Sequence, residues 1–196
     1  MLGLKNTSVA LLALFSTVSL AVPTSSDAGM LSARQIDTSD WVPFEFQGKT
    51  LKVNPAALNI TKSPDEVSVA VITNDCCGGS SFVGTGAPYP NVGDCAVIRD
   101  WAYTLNAYWS IWTNTPDYHG VVVYGTCVFG AGTRNTYDTY IGSSDIGDLV
   151  RDAINGHSQG NGVVNCAGDM GCENQCTQSG CPFSGRSAVF WKMQHN

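Results

Sequence analysis

An α+β domain is the fold class this sequence predicts: one disulfide-rich, two-layer unit, mostly antiparallel sheet, with two helices on one side. Three observations lead there. Several short runs alternate apolar and polar residues at the period of a strand, while only two segments repeat apolar residues at spacings of three and four. The two helical segments do not alternate regularly with strands, as a parallel βαβ sheet would require. Finally, all 8 cysteines lie downstream of a segment that reads as an export leader.

That leader covers residues 1–21. Lys5 supplies the positive n-region, Val9 to Leu20 is mostly apolar, and Ser19-Leu20-Ala21 is the small–x–small pattern of signal peptidase cleavage. The apolar run is shorter than the roughly 20 residues that span a bilayer, and no second such run follows. Residues 22–34 are small and polar, without strand or helix pattern, and end at Arg34. They read either as a pro-peptide or as a flexible tail. The remainder, 35–196, is long enough for one domain and hardly for two with separate cores.

The first element is a hairpin over 41–53. Val42, Phe44 and Phe46 share one face, Gly48-Lys49 turns the chain, and Leu51 and Val53 lie on a return face. Asn59-Ile60-Thr61 is an N-glycosylation sequon, which places Asn59 on the surface if it is occupied. A second β run follows at 67–72, built on Val67, Val69 and Val71. Residues 75–90 read as loop. Asn91 then caps a helix, with Asp94 placed to reciprocate and Val92, Cys95, Ile98, Ala102 and Leu105 as its buried stripe.

A short aromatic strand over 108–113 leads into a turn at 114–120, which contains Pro116 and Asp117. The strongest strand is expected over 121–129, with Val121, Val123, Cys127 and Phe129 on one face and Val122, Tyr124 and Val128 on the other. The second helix runs from Ser143 or Ser144 to Gly156, burying Ile146, Leu149, Val150, Ala153 and Ile154, with Asp145 in its first turn. A Gly- and Cys-rich excursion occupies 160–185. The last strand, 187–193, alternates Val189, Trp191 and Met193 against Ala188 and Phe190.

Composition narrows the function. A net charge of −6 without a basic cluster is a poor match for nucleic acid or for anionic lipid. Cys76, Cys77, Cys95, Cys127, Cys166, Cys172, Cys176 and Cys181 permit four disulfides, and adjacent Cys76 and Cys77 call for different partners. The spacing from Cys166 to Cys181 is looser than the C-x2–4-C pairs of zinc sites, so disulfides are expected there and no metal or other cofactor.

Gly156-His157-Ser158-Gln159-Gly160 is a literal G-x-S-x-G, and Ser158, Asp169 and His195 occur in hydrolase order. The context opposes a small serine esterase. A helix precedes Ser158, and the chain after it is too short for the usual strands and helices. A helix C-terminus with His157-Ser158 as solvated loop is the better reading, and no enzyme activity is expected. His119, beside Asp117, reads as a solvated surface residue. Glu45, Glu66 and Glu173 are scattered, and no carboxylate pair stands out for glycoside hydrolysis. Trp101, Trp109, Trp112 and Trp191 read first as core, with an aromatic platform for a glycan or protein partner as the alternative.

Several segments together carry a resemblance: Cys77-Gly78-x-Ser80-x-Phe82, Asp94-Cys95 opening a helix, Tyr124-Gly125-Thr126-Cys127-Val128-Phe129, and Ile141-Gly142-x-x-Asp145-Ile146-x-Asp148-Leu149-Val150, followed by Cys166 and a terminal Phe190-Trp191. This frame resembles the fungal effectors homologous to the second extracellular protein of the tomato leaf-mould fungus Cladosporium fulvum, often called necrosis-inducing. More distantly it looks like the viral killer toxins of corn smut. The first resemblance implies an apoplastic virulence factor without cofactor; together with the leader and the acidic composition it sets the expectation of a secreted monomer that binds a host surface protein or glycan without inserting in a membrane. The second implies an antifungal inhibitor of cation channels. The resemblance also implies the disulfides Cys95–Cys127 and Cys77–Cys166, with Cys76, Cys172, Cys176 and Cys181 as additions around an enlarged loop.

Overall fold

The structure, a computed structural model, describes residues 36–56, the backbone of 58–59, and residues 74–174 and 185–196. The expected leader, the 22–34 tail, the 67–72 β run, the Asn59 side chain, Cys176 and Cys181 lie outside the described residues.

Alternating apolar residues draw 42–53 into a hairpin, β1 (Val42–Phe46) and β2 (Lys49–Val53). Phe44 lies opposite Leu51 and Val42 opposite Val53, so the two apolar sets share a face as expected. The turn is Gln47-Gly48, one residue before the expected Gly48-Lys49, and both residues have positive φ. That is the signature of a hairpin turn whose twist matches the flanking strands. A two-residue strand, β3 (Leu58–Asn59), follows.

Cys77–Ser80 is a strand, β4, where the sequence reading had only loop. Its two glycines mask the pattern, and it persists because it pairs with a partner far along the chain. The helix α1 (Val92–Tyr103) begins where Asn91 accepts a hydrogen bond from the Gly93 amide at 2.7 Å. Cys95, Ile98 and Ala102 are fully buried, and Leu105 falls beyond the helix end. After α1 come β5 (Tyr108–Ile111), β6 (Thr115–Tyr124), β7 (Cys127–Thr133) and β8 (Thr139–Gly142).

Two expectations fail in this stretch. The 114–120 segment is mostly strand: β6 starts at Thr115 and carries register shifts before His119 and again before Val122. Pro116 is tolerated because, among the described residues, β2 pairs with β6 only at Val122 and Val123, and no described strand pairs with the Pro116 stretch on that side. The expected 121–129 strand is two strands joined at Gly125-Thr126, with Tyr124 opposite Cys127. The hairpin changes the face assignment. Val122 now faces the core with Cys127 and Phe129, while Val123 and Val128 lie on the other side.

The helix α2 (Ser143–His157) follows β8 directly and buries Ile146, Leu149, Val150 and Ala153. The expected excursion at 160–185 holds a strand, β9 (Cys166–Glu173), which the sequence reading missed because Gly168 and Gly171 interrupt its alternation of Cys166, Met170 and Cys172. The final strand is β10 (Arg186–His195), with Val189, Trp191 and Met193 fully buried.

The strands form a seven-stranded sheet, β1-β2-β6-β7-β10-β9-β4, and a three-stranded one, β3-β5-β8. Every pairing between the described strands is antiparallel. The α+β class therefore holds, with a second small sheet that the sequence did not announce. Both helices join the main core with Leu51, Phe129, Val189 and Trp191. On the opposite face Val123 and Val128 are covered by Trp41, with Ile36 packed alongside.

Candidate functional site

Two polar locks, one half-buried at Asp94 and one buried at Asp145, fasten the helices to the sheets. In the first, the Asp94 carboxylate accepts from the Thr126 amide at 2.8 Å and from its hydroxyl at 2.7 Å. Thr126 in turn accepts from the Asn91 amide. Asp94 thus reaches across to the β6–β7 hairpin; it does not complete the expected capping box on its own helix. The disulfide Cys95–Cys127 closes the same junction.

In the second lock, one oxygen of Asp145, Oδ2, accepts three backbone amides: Gly142 and Cys76 at 2.8 Å and Cys77 at 3.1 Å. Burial pushes this carboxyl up to about 6, against the pull of the three amides, and Asp75 adds to the rise. A side chain at Gly142 would collide with the Asn74 carbonyl, so the chain can pass here only as glycine.

Cys77 is joined to Cys172, which corrects the Cys77–Cys166 pairing implied by resemblance. The reason is register. Cys77 on β4 lies directly across from Cys172 on β9, whereas Cys166 lies opposite Met193 at the far end of β9. Cys166 is a buried thiol, pushed up to about 11 by burial. Cys76 is buried too.

Ser158, Asp169 and His195 form no triad. Ser158 sits at the C-terminus of α2, where its hydroxyl donates to the Ile154 carbonyl. Asp169 accepts from Ser81, and His195 contacts the Asn196 carbonyl. A nucleophile elbow needs a strand before the serine and a helix after it, and here the order is reversed. His157 is not loop: it ends α2 and stacks on Phe82 at 6.1 Å. Among the described residues no group of three or more His, Cys, Asp or Glu is placed to hold a metal ion. No described helix is long and apolar enough to cross a membrane.

The tryptophans divide unequally. Trp101, Trp109 and Trp191 are core residues as expected, and Trp41 joins them, whereas Trp112 is 69% exposed. Trp112 follows β5 and borders a cavity of about 540 Å³ whose floor includes Ile111, Val121 and Ala131. Asn54, Ser110, Thr113, His119 and Asp138 give it polar groups. Asp138 accepts from the Ser110 hydroxyl at 2.7 Å through Oδ1, and Asn54 donates to the Gly120 carbonyl at 2.8 Å. His119 is exposed as expected, and its ring makes no hydrogen bond among the described residues. β5 and β6 place Trp112 and His119 from different sheets, so no stretch of sequence shows them together.

Residues 76–172 match a protein-family profile, Hce2, described as "Pathogen effector; putative necrosis-inducing factor". This chain belongs to the Hce2 family. The matched segment runs from Cys76 to Cys172, so it contains both locks and both disulfides. Trp112, His119 and Asp138 also lie inside it, while Asn54 precedes it. No curated protein matches the chain. Within the Hce2 segment the residues that carry the recognisable motifs (Asp94, Cys95, Gly125, Thr126, Cys127, Gly142 and Asp145) are scaffold. The groove at Trp112 stands outside those motifs.

Proposed function

We propose that this Hce2 protein is a secreted effector that acts by binding an extracellular host target, with the Trp112 groove as its contact surface. The observation that carries this reading is the division of labour just described. Signature residues are engaged in hydrogen bonds or disulfides, and Ser158 is committed to a backbone carbonyl, so the prominent exposed feature is an aromatic residue beside a cleft. A large exposed indole with polar neighbours is what recognition surfaces use for contact area. Export is supported by the leader at 1–21 and by disulfides that persist in oxidising compartments.

Infiltration of purified, oxidised protein into leaf tissue tests the proposal. The expected outcome is local cell death with wild type and a reduced response with Trp112→Ala at equal dose. No response in any plant tried, together with inhibition of fungal growth and an altered membrane current, would overturn it in favour of the killer-toxin reading.

A further inference from the structure

We infer that the Trp112 groove binds a neutral oligosaccharide, stacking one pyranose ring on the indole. The inference rests on the binding role proposed for this surface and names its ligand class. It starts from what the groove offers. Its volume, about 540 Å³, lies within the range of small-molecule sites, about 300–1,000 Å³. One wall is the exposed indole of Trp112, a flat apolar surface.

The rim supplies the polar half of the match. Asp138 is held by Ser110 through one carboxylate oxygen, which leaves Oδ2 without a hydrogen bond among the described residues. The His119 ring is likewise uncommitted among them and borders the same cavity. A pyranose has an apolar C–H face for the indole and a ring of hydroxyls that both donate and accept. Asp138 takes the donated bonds, and His119 can take or give one.

Other ligand classes fit less well. Among the described residues no Lys or Arg lines the groove, so a phosphate, sulfate or uronate would meet the Asp138 carboxylate with no fixed cation to offset it. A quaternary ammonium calls for several aromatic walls, and among the described residues Trp112 is the one large aromatic side chain lining this cavity. A peptide strand could add to the Pro116 stretch of β6, which has no partner on the β2 side among the described residues. That mode would not need the indole, so the two are separable by substitution.

The test uses the purified, disulfide-intact protein and a panel of neutral hexasaccharides: cellohexaose, chitohexaose, xylohexaose, laminarihexaose and mannohexaose. Trp112 is the exposed tryptophan of 5, so iodide quenching of tryptophan fluorescence reports on it. We expect at least one sugar to protect against iodide and to give saturable heat in calorimetry, unchanged by added salt. Trp112→Ala should weaken that binding about tenfold or more, the loss of about 1.4 kcal/mol of contact, while Trp112→Phe retains most of it. Both substitutions fall at an exposed position, and near-ultraviolet circular dichroism checks that the fold is kept.

Absence of saturable binding to every sugar at millimolar concentration overturns the inference. So does equal binding by Trp112→Ala. The leaf assay separates this from the broader reading. Cell death without sugar binding keeps the effector and removes the glycan; sugar binding without a leaf response does the reverse.

Discussion

Asp145 shows how a single residue carries more than its position in the sequence suggests. Its place in the first turn of α2 is legible from the sequence, where it reads as a favourable charge at a helix N-terminus. Only the fold brings the Cys76 and Cys77 amides onto the same oxygen that accepts from Gly142. All three bonds fall on Oδ2, so Oδ1 can hold a proton without breaking them. Burial raises the carboxyl to about 6, above its unfolded value of 3.8, so the folded state favours the protonated form. The resulting stabilisation is complete below about pH 4 and is lost as pH rises through 6. We expect wild type to lose up to roughly 3 kcal/mol across that window relative to Asp145→Asn. Urea unfolding of both proteins from pH 3.5 to 7 checks it, and parallel profiles would refute it.

Gly125 makes the complementary case, since its constraint is backbone conformation. Its φ is +54, and a side chain there would come within 2.5 Å of the Asp94 carboxylate. Gly125→Ala therefore adds left-handed strain to a displaced Asp94, and we expect a loss of about 2–3 kcal/mol. The midpoint of chemical unfolding should fall with the slope unchanged.

At the scale of elements, the instructive case is the pair of cysteine bridges. The Cys95–Cys127 bridge joins α1 to the start of β7, which helix-to-strand packing makes accessible. The Cys77–Cys172 bridge depends on β4 and β9, two strands the sequence conceals behind glycines. Peptide mapping without reduction, after blocking thiols in denaturant, should recover both links and a blocked Cys166. Cleavage before Asp169 separates Cys166 from Cys172, so a fragment joining Cys77 to Cys166 would contradict the register. Removing both Cys95 and Cys127 as alanines should cost about 3–4 kcal/mol, from a loop of 32 residues. Hairpin joints were the other weak point. Gly125-Thr126 lies inside a run so apolar that it reads as one strand, and only cross-strand pairing reveals the reversal.

For the whole molecule, composition, two amphipathic stripes and the alternating runs were enough to place the chain among α+β domains with paired cysteines. Those signals are local, because apolar periodicity is printed along the chain wherever one face of an element meets the core. The Cys95–Cys127 pairing and the family followed from motif resemblance, and Trp191 in the core followed from its alternating strand. Long-range pairing decided the rest: the order of the seven strands, the second sheet, the partner of Cys77, and which tryptophan stays outside. Trp109 and Trp112 are three residues apart and look alike in sequence, yet one is fully buried and the other is 69% exposed. Nothing local distinguishes them. The difference arises because β5 ends at Ile111, so Trp109 is held inward by pairing with β8 while Trp112 lies past the last paired residue.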